Sequence, residues 1–370
     1  MDQTGNLASH RWLAYGMLGL PLAMAALPIY VHVPRLYADA GVSLALLGGL
    51  LLAARLLDAG MDPLLGWWSD SSGHRRRLIL LALPFLAVGM LTLLHPAEQA
   101  TVAWLLGALF ITYFGFSLAS ISYQAWGAEL GRDSGERTLL TASREGFGLL
   151  GVIAASVLPL LLAANLADGL SLLAWLFIPL LLLAAVVTVF GSTSRASAGT
   201  RTAAAGFAEL RLALADPVFR RLLGVFIVNG IAAALPATLV LFFVEDVLGS
   251  ADKAGLFLAL YFVAGVAGLP LWVGLARRVG RVRSWLLSML LASAAFLFAL
   301  FLGEGDVWPF AIVCLASGLA LRADLALPPA LLADISEGRQ ARAGAGAYFG
   351  WWNLVAKLNL ALAAGIALPA

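Results

Sequence analysis

The sequence predicts an all-α integral membrane protein, and its composition and hydropathy pattern carry this prediction. Of the 370 residues, 62% are hydrophobic and 12% are charged, proportions typical of chains that lie mostly in lipid. A transmembrane helix needs about 20 consecutive apolar residues. The chain holds eleven runs of roughly this length, at 12–32, 44–68, 78–95, 101–126, 145–166, 169–191, 221–244, 254–275, 284–302, 307–332 and 345–368. We expect each run to form one membrane-spanning helix.

The charges between these runs alternate from loop to loop. Arginines such as Arg75, Arg76 and Arg77 fall in every second loop, whereas the opposite loops carry acidic residues such as Glu98 and Asp168. Short loops rich in arginine stay on the cytoplasmic side of a membrane. The pattern predicts a multi-pass protein of the cytoplasmic (inner) membrane with its amino terminus in the cytoplasm.

The sequence lacks the short motifs of common enzyme classes. It has no phosphate-binding glycine loop, nucleophile elbow or HExxH motif, and Cys314 is its one cysteine. We therefore predict that the protein is not an enzyme, needs no cofactor and binds no nucleic acid.

The longest polar stretch, 192–218, divides the chain. Its small residues and arginines predict a cytoplasmic linker that is partly helical near 207–215. The runs before it predict an amino-terminal bundle of six helices at 1–191, and those after it predict a carboxy-terminal bundle at 219–370. The segment from Gly66 to Arg77 has a degraded counterpart from Gly274 to Arg281. Internal repeats of this kind are typical of secondary transporters, whose binding sites lie between the repeats.

The second apolar run carries charged residues at the depth of the lipid tails. Spacings of three and four residues place Arg55, Asp58 and Asp62 on one stripe of the helix. An ionised side chain costs about 2.5 to 3.5 kcal/mol at the centre of a bilayer, so the stripe must face a protein or water-filled interior. A structural salt bridge with Arg55 is the alternative to a binding role, but one arginine cannot neutralise two carboxylates.

Two segments resemble a known family. Gly66, Asp70, Gly73 and Arg75–Arg77 resemble the signature between the second and third helices of the major facilitator superfamily. Within it, LLAARLLDAGMDPLLGWWSD at 51–70 and the segment 121–144 resemble the glycoside–pentoside–hexuronide:cation symporters, the melibiose permease-like family. The resemblance implies two helical bundles and twelve helices. Because the sequence ends at Ala370 after the eleventh run, we expect six plus five helices, with the twelfth missing or the chain a genuine eleven-span variant.

The resemblance also implies a cation site. Asp58 and Asp62 match the family's paired aspartates, so they are predicted to bind the coupling cation, either Na⁺ or H⁺. Hard cations need several oxygen ligands. Hydroxyls of the fourth helix are the predicted additional ligands, with Ser120 the principal candidate beside Ser117 and Ser122.

Two basic residues match family positions near the substrate. Arg144 matches an arginine of the sugar site, and Lys357 matches a lysine close to the cation and sugar sites. Lys357 lies in the middle of the eleventh run, too far from either end to reach the membrane surface. We expect its ammonium group to pair with Asp58 or Asp62.

The sequence also departs from the family pattern. Ser120 and Gln124 stand where sugar-binding members carry an aspartate and an aromatic residue. The tenth run adds Arg322 and Asp324, whose spacing of two points them to different sides of a helix. Arginines in the cavity suit an anionic or zwitterionic substrate better than a neutral sugar. The remaining predicted substrate-site residues are Tyr123, Gln124, Trp352 and Asn353, with an interfacial aromatic belt as the alternative for Trp352.

A set of charged residues at the cytoplasmic helix ends predicts a latch that closes this end in one conformational state. Determination of topology is the alternative role for its arginines. The predicted latch residues are Asp70, Arg75, Arg76, Glu129 and Arg137.

These observations predict a cation-coupled secondary transporter that moves a small polar solute, such as a glycoside or an organic anion, by alternating access. A lysophospholipid or amphipathic-anion transporter of the same fold is the alternative, and a non-transporting membrane sensor is a third. The expected partners are the substrate and membrane lipids, and the expected state is a monomer.

Overall fold

The computed structural model describes residues 3–39, 43–96, 102–192 and 207–367, and within these ranges the regular structure is helical throughout. A π-helical turn, Phe243–Val247, continues α9, and a 3₁₀ turn, Ala251–Lys253, precedes α10. The α-helices are α1 Gln3–Gly16, α2 Gly19–Asp39, α3 Leu44–Ser72, α4 Arg75–Leu94, α5 Val102–Leu130, α6 Ser134–Leu162, α7 Leu166–Gly191, α8 Ala208–Ala215, α9 Pro217–Phe242, α10 Ala254–Val279, α11 Arg281–Ala299, α12 Val307–Glu337 and α13 Ala345–Ala367.

Every predicted apolar run corresponds to helix, so the all-α membrane prediction is confirmed. Among the described residues, eight helical segments are long and apolar enough to cross a membrane: His10–Ala38, α4, α5, α6, α7, α10, α11 and α12. Helices α3, α9 and α13 have 29, 26 and 23 residues and occupy the remaining predicted runs. The first run differs from the prediction in being interrupted, because the chain turns at Met17 between α1 and α2.

The predicted linker contains a short helix. Helix α8 occupies Ala208–Ala215, as the sequence predicts, and Asp216 then caps α9 by accepting hydrogen bonds from the amides of Val218 and Phe219. Residues 193–206 lie outside the described ranges, so the linker boundaries at 192 and 218 and the two bundle boundaries stay predictions.

Apolar side chains cover both the interior and the outer surface of the helical assembly. The interior is held by buried residues such as Tyr15, Leu86 and Phe177, while Leu160, Phe190 and other large side chains are exposed on the outside. Apolar side chains on the outside of a helical bundle suit contact with lipid tails. The helices also pair their own backbone polar groups, which lipid cannot do.

The two halves of the chain meet along α3 and α13. Helix α13 packs against α9 in its own half and against α3 and α5 in the other half, while α12 packs against α6. Glycines bring α3 and α13 into backbone contact: a Cβ atom at Gly66 would lie 2.2 Å from the carbonyl oxygen of Gly346. A Cβ atom at Gly350 would lie 2.7 Å from the carbonyl oxygen of Asp62. This close approach positions the side chains that follow on both helices.

A matched pair of glycine substitutions tests the packing. At Gly151 on α6, a Cβ atom would lie 2.1 Å from the backbone carbonyl oxygen of Leu20 on α2, whereas at Gly107 on α5 it meets nothing within 4 Å. We expect Gly151→Ala to lower the melting temperature by several degrees, because overpacking costs about 1–3 kcal/mol. Gly107→Ala is expected to leave it unchanged or slightly raised. Equal effects of the two substitutions on thermal unfolding in detergent would contradict the described α2 and α6 contact.

Candidate functional site

A buried charged cluster joins α3, α5 and α13 in the interior. The Lys357 ammonium nitrogen lies 2.7 Å from Asp58 Oδ2 and 2.8 Å from Asp62 Oδ1. It also lies 2.8 Å from the Ser117 hydroxyl oxygen, which in turn donates a hydrogen bond of 2.7 Å to Asp58 Oδ1. The carboxylates and Ser117 belong to the first half of the chain and Lys357 belongs to the second, so the cluster bridges the two halves.

Two carboxylates face one ammonium group, so the cluster has one negative charge in excess when both carboxylates are ionised. Asp58 and Asp62 are 1% and 0% exposed, so water at the protein surface does not reach their carboxylates. The second oxygen of Asp62, Oδ2, is buried and has no hydrogen-bond partner. A single monovalent cation or a single proton would neutralise the cluster. A cation held by these oxygens would compete with the Lys357 ammonium, which contacts three of the same atoms.

The predicted pairing of Lys357 with the aspartates is present, and Ser117 is the one of the three predicted serines that contacts the cluster among the described hydrogen bonds, while the predicted role of Ser120 as a cation ligand stays a prediction. Ser117 makes the contacts to Asp58 and Lys357, and Ser120, one turn further along α5, is half-buried to one side. Sequence alone could not choose between them, because serines three residues apart lie on neighbouring positions of one helical face.

A second polar contact crosses between the halves beside this cluster. The amide nitrogen of Gln124 on α5 donates to the side-chain oxygen of Asn353 on α13 at 3.3 Å. Asn353 donates in turn to the carbonyl oxygen of Phe349 at 2.8 Å. Both side chains are half-buried. They are available to exchange this contact for hydrogen bonds to a polar solute.

Two of the predicted substrate-site aromatics are used in helix packing instead. The Tyr123 hydroxyl donates to the carbonyl oxygen of Tyr15, and the Tyr15 hydroxyl donates to the carbonyl oxygen of Tyr123 at 3.0 Å, which locks α5 to α1. The Trp352 ring stacks on Phe226 of α9 at 3.7 Å between centroids. Tyr123 is 0% and Trp352 is 4% exposed, so neither presents a face to a solute in this conformation.

Arg144 lies on α6 with a carboxylate partner that the sequence prediction missed. Its Nη2 atom lies 2.7 Å from Glu145 Oε1, and its Nε atom lies 3.1 Å from the same oxygen. The sequence contains a sign of this pair, because Glu145 directly follows Arg144 at the start of an apolar run. Two adjacent and opposite charges at such a position indicate an ion pair. The pair reduces the net positive charge that the sequence predicts for this region.

The charged pair of α12 points in two directions, as its spacing predicts. Asp324 accepts a hydrogen bond of 2.7 Å from the indole nitrogen of Trp285 on α11. Arg322 is 5% exposed and lies against Gly265 of α10. In the described part of the chain, Arg322 and Asp324 do not form an ion pair with each other.

The predicted latch lies at the loop end of α3. The Asp70 carboxylate accepts hydrogen bonds from the backbone amides of Gly346 and Ala347, each at 2.7 Å, in the first turn of α13. A carboxylate is stabilised at this position by the exposed amides and the dipole of the helix. Asp70 also lies 2.7 Å from Arg75, whose Nε atom lies 2.6 Å from Glu129 at the end of α5. These contacts tie α3, α4, α5 and α13 together.

A second node of the latch, around Asp334, was not predicted. Asp334 at the end of α12 pairs with Arg137 of α6 at 3.1 Å and with Arg281 at the start of α11. This node repeats the pairing of Arg75 with Glu129, because Arg281 lies in the degraded counterpart of the Arg75 segment. Arg137 contacts the second half of the chain through Asp334, whereas Arg76 lies over the Trp126 ring at 5.0 Å within the first half.

The described helices hold a buried charged cluster between the two halves of the chain, an arrangement typical of secondary transporters. The profile of the MFS/sugar transport protein family matches residues 12–370, so the chain belongs to this family of membrane transporters and not to an enzyme family. The predicted family and fold are therefore confirmed.

Individual relatives agree with this assignment. An uncharacterized symporter of Synechocystis sp. is 30% identical over 178 residues, which are 42% of this chain and 31% of that protein. The match thus spans about a third of the length of that relative.

Solved structures show the same fold. The structure of the MFS transporter FucP in the outward conformation, a fucose:proton symporter of E. coli, matches with a TM-score of 0.72 at 17% identity, over 98% of this chain and 90% of that chain. The human organic anion transporter MFSD10 matches with a TM-score of 0.69 at 18% identity, over 100% of this chain and 93% of that chain.

A double-mutant cycle tests the charge balance of the buried cluster. Lys357→Gln leaves two buried carboxylates without their ammonium partner, and removing one partner of a buried ion pair costs about 3–5 kcal/mol. We expect this substitution to lower the melting temperature strongly at pH 7. Adding Asp62→Asn returns the cluster to one net negative charge and is expected to restore at least half of the loss. Additive effects of the two substitutions would show that the contact carries no coupling.

Substitution of Asp70 tests the latch. In a Cys314→Ser background, spin labels at the exposed positions Ser71 and Arg339 report the distance between the two halves at this end. Asp70→Ala removes the cap of α13 and the partner of Arg75, so we expect a larger population at long distance.

The matched control for the latch is Asp133→Ala, which removes a carboxylate cap within α6 alone. We expect this control to leave the distance distribution unchanged. An unchanged distribution in Asp70→Ala would contradict the assignment of Asp70 to a contact that holds this end closed.

Proposed function

We propose that the protein is a cation-coupled symporter that moves a small polar solute, such as a glycoside or an organic anion, by alternating access. Asp58 and Asp62 hold the coupling cation, either Na⁺ or H⁺. The observation that carries this proposal is the Lys357 ammonium group held between both carboxylates across the two halves. The protein is placed in the cytoplasmic membrane with its amino terminus in the cytoplasm, on the basis of the arginine-rich loops.

The cluster supports coupling because ion binding and movement of the halves use the same contact. Arrival of a cation at the carboxylates replaces the Lys357 ammonium and thereby removes an ion pair between α3 and α13. The released ammonium is itself a buried charge, which is costly at membrane depth unless an anion or a polar solute accompanies it. A carrier loaded with the cation alone is therefore held back, and a fully loaded carrier is free to reorient.

The surroundings of the cluster supply groups for the solute. Gln124 and Asn353 meet beside it, and Arg144 with Glu145 offers both charge signs on α6. Such a set of donors and acceptors suits hydroxyl, carboxylate or amino groups. The latch around Asp70 and Asp334 closes the end that is predicted to be cytoplasmic, so the solute site is proposed to open toward the other side in this conformation.

The relatives agree with ion coupling. The Synechocystis relative is described as a symporter, and the structural neighbours include a fucose:proton symporter and a proton:xylose symporter. The substrates and coupling ions in these names are those of the relatives. The relatives support the proposal only by being ion-coupled symporters.

Gradient-driven uptake into proteoliposomes tests the proposal. A panel of labelled sugars and organic anions is offered under an inward Na⁺ gradient, an inward H⁺ gradient or neither. We expect at least one solute to accumulate more than tenfold under one gradient. Asp58→Asn and Asp62→Asn are each expected to abolish this accumulation while retaining exchange of solute across the membrane.

The matched control is Asp168→Asn, which removes an exposed carboxylate at the start of α7 and should transport normally. Uptake that ignores both gradients in the wild-type protein would contradict symport. Accumulation that survives Asp58→Asn would favour a role for the cluster in stability alone.

A further inference from the structure

An apolar cavity lies within the second half of the chain, away from the Asp58 cluster. Its volume is about 390 Å³, which is within the range of pockets that hold small molecules. Helices α9 to α12 line it with aliphatic and aromatic side chains such as Phe257 and Phe310. Among the described side chains of the lining, those with polar atoms are Tyr261, Cys314 and Ser317. The cavity is therefore suited to an apolar group and has polar character in one region.

Arg322 follows this polar region on α12, between one and two helical turns after Ser317, and is not itself among the residues that line the cavity. Long side chains on a helix lean toward its amino terminus, which directs Arg322 toward Ser317 on α12. A Cβ atom on Gly265 would lie 3.3 Å from Arg322 Nε and 3.5 Å from the carbonyl oxygen of Gly318. Gly318 follows Ser317 directly, and Gly265 lies one helical turn after Tyr261. A larger side chain at position 265 would therefore press against the Arg322 side chain.

Among the described residues, Arg322 has no direct ion-pair partner. It is 5% exposed, and its Nε atom has no hydrogen-bond partner. None of the ion pairs within 43–96, 102–192 and 207–367 includes it. Glu145 attracts Arg322 electrostatically without a direct ion pair, while its Oε1 atom is held by Arg144, and Asp324 is turned away toward Trp285. A buried charge in this position is stabilised strongly by an anion.

We propose that Arg322 binds the acidic group of an amphipathic organic monoanion whose apolar body occupies the cavity between α9 and α12. A guanidinium fork binds a planar carboxylate or a sulfonate through paired, charge-assisted hydrogen bonds. This inference rests on the proposed function only where it takes the bound anion to be the transported solute. One monoanion would then travel with the one positive charge that the Asp58 cluster accepts.

Binding of a matched pair of probes tests the site. 1-Naphthalenesulfonate carries an anionic head on an apolar body, 1-naphthalenesulfonamide is its neutral counterpart, and methanesulfonate has the head alone. Each is titrated by calorimetry into the full chain in lipid nanodiscs, with empty nanodiscs subtracted and no ion gradient present. We expect the sulfonate to bind at least tenfold more tightly than either of the other probes.

Variants locate the binding. Arg322→Gln is expected to weaken sulfonate binding at least tenfold and to leave the sulfonamide unaffected, while Arg322→Lys retains part of the affinity. The control Arg283→Gln removes an exposed arginine of α11 and should change nothing. Cys314→Phe places a phenyl ring in the cavity and should abolish binding, whereas Leu315→Phe places the same side chain on the exposed side of α12 and should leave binding unchanged. Thermal unfolding of each variant confirms that it is folded.

The outcomes separate this inference from the symport proposal. Equal binding of sulfonate and sulfonamide, unaffected by Arg322→Gln, would show that the cavity takes neutral apolar groups such as lipid chains and would overturn the assignment. Absence of sulfonate binding in a protein whose solute uptake still follows a cation gradient overturns the inference alone. Sulfonate binding that depends on Arg322 in a protein without gradient-driven uptake supports the site and refutes symport.

Discussion

The contact of one lysine with two aspartates across the halves of the molecule is the interaction on which the rest of the structure depends. Charged side chains inside a membrane protein are costly, and Asp58, Asp62 and Lys357 offset this cost only by remaining together. The offset is incomplete, because one negative charge is left over and Asp62 Oδ2 has no partner. The interior is thus built to accept one more positive charge.

The surrounding architecture holds this contact in place. Gly66, Gly346 and Gly350 let α3 and α13 approach until their backbones touch. Asp70 then caps α13 from α3, and Asp334 joins Arg137 to Arg281 at the same end. The Asp70 contact and the buried cluster therefore join the same two helices, α3 and α13, while the Asp334 contacts join α12 to α6 and α11. A change at either place alters how the two halves meet.

The sequence was sufficient for the fold and for the most strongly constrained parts of the site. Hydropathy and loop charge predict the helices, because a membrane leaves few alternatives to a helix. Lys357 was predicted to meet the aspartates, since a lysine in the middle of a span requires an acidic partner.

Other features depend on the rotation and depth of packed helices, which hydropathy does not determine. Ser117 and Ser120 lie about one turn apart on α5, so the depth of this helix in the bundle decides which of them contacts Asp58. The use of Tyr123 and Trp352 in packing depends on their neighbours Tyr15 and Phe226, which are distant in sequence. Asp334 was missed because it lies just after the apolar run 307–332, where a charged residue is expected in a loop. Its role is visible only from its contacts with Arg137 and Arg281, which are distant in sequence.

Charge displacement after a cation jump, recorded on proteoliposomes adsorbed to a supported membrane, tests the central claim most directly. A step in Na⁺ or in pH, without any solute, should produce a transient current in the wild-type protein as the cation enters the cluster and displaces Lys357. The combined variant Asp58→Asn and Asp62→Asn should produce none. A wild-type protein that gives no current with Na⁺, Li⁺ or H⁺, or a variant that gives the same current, would contradict the account.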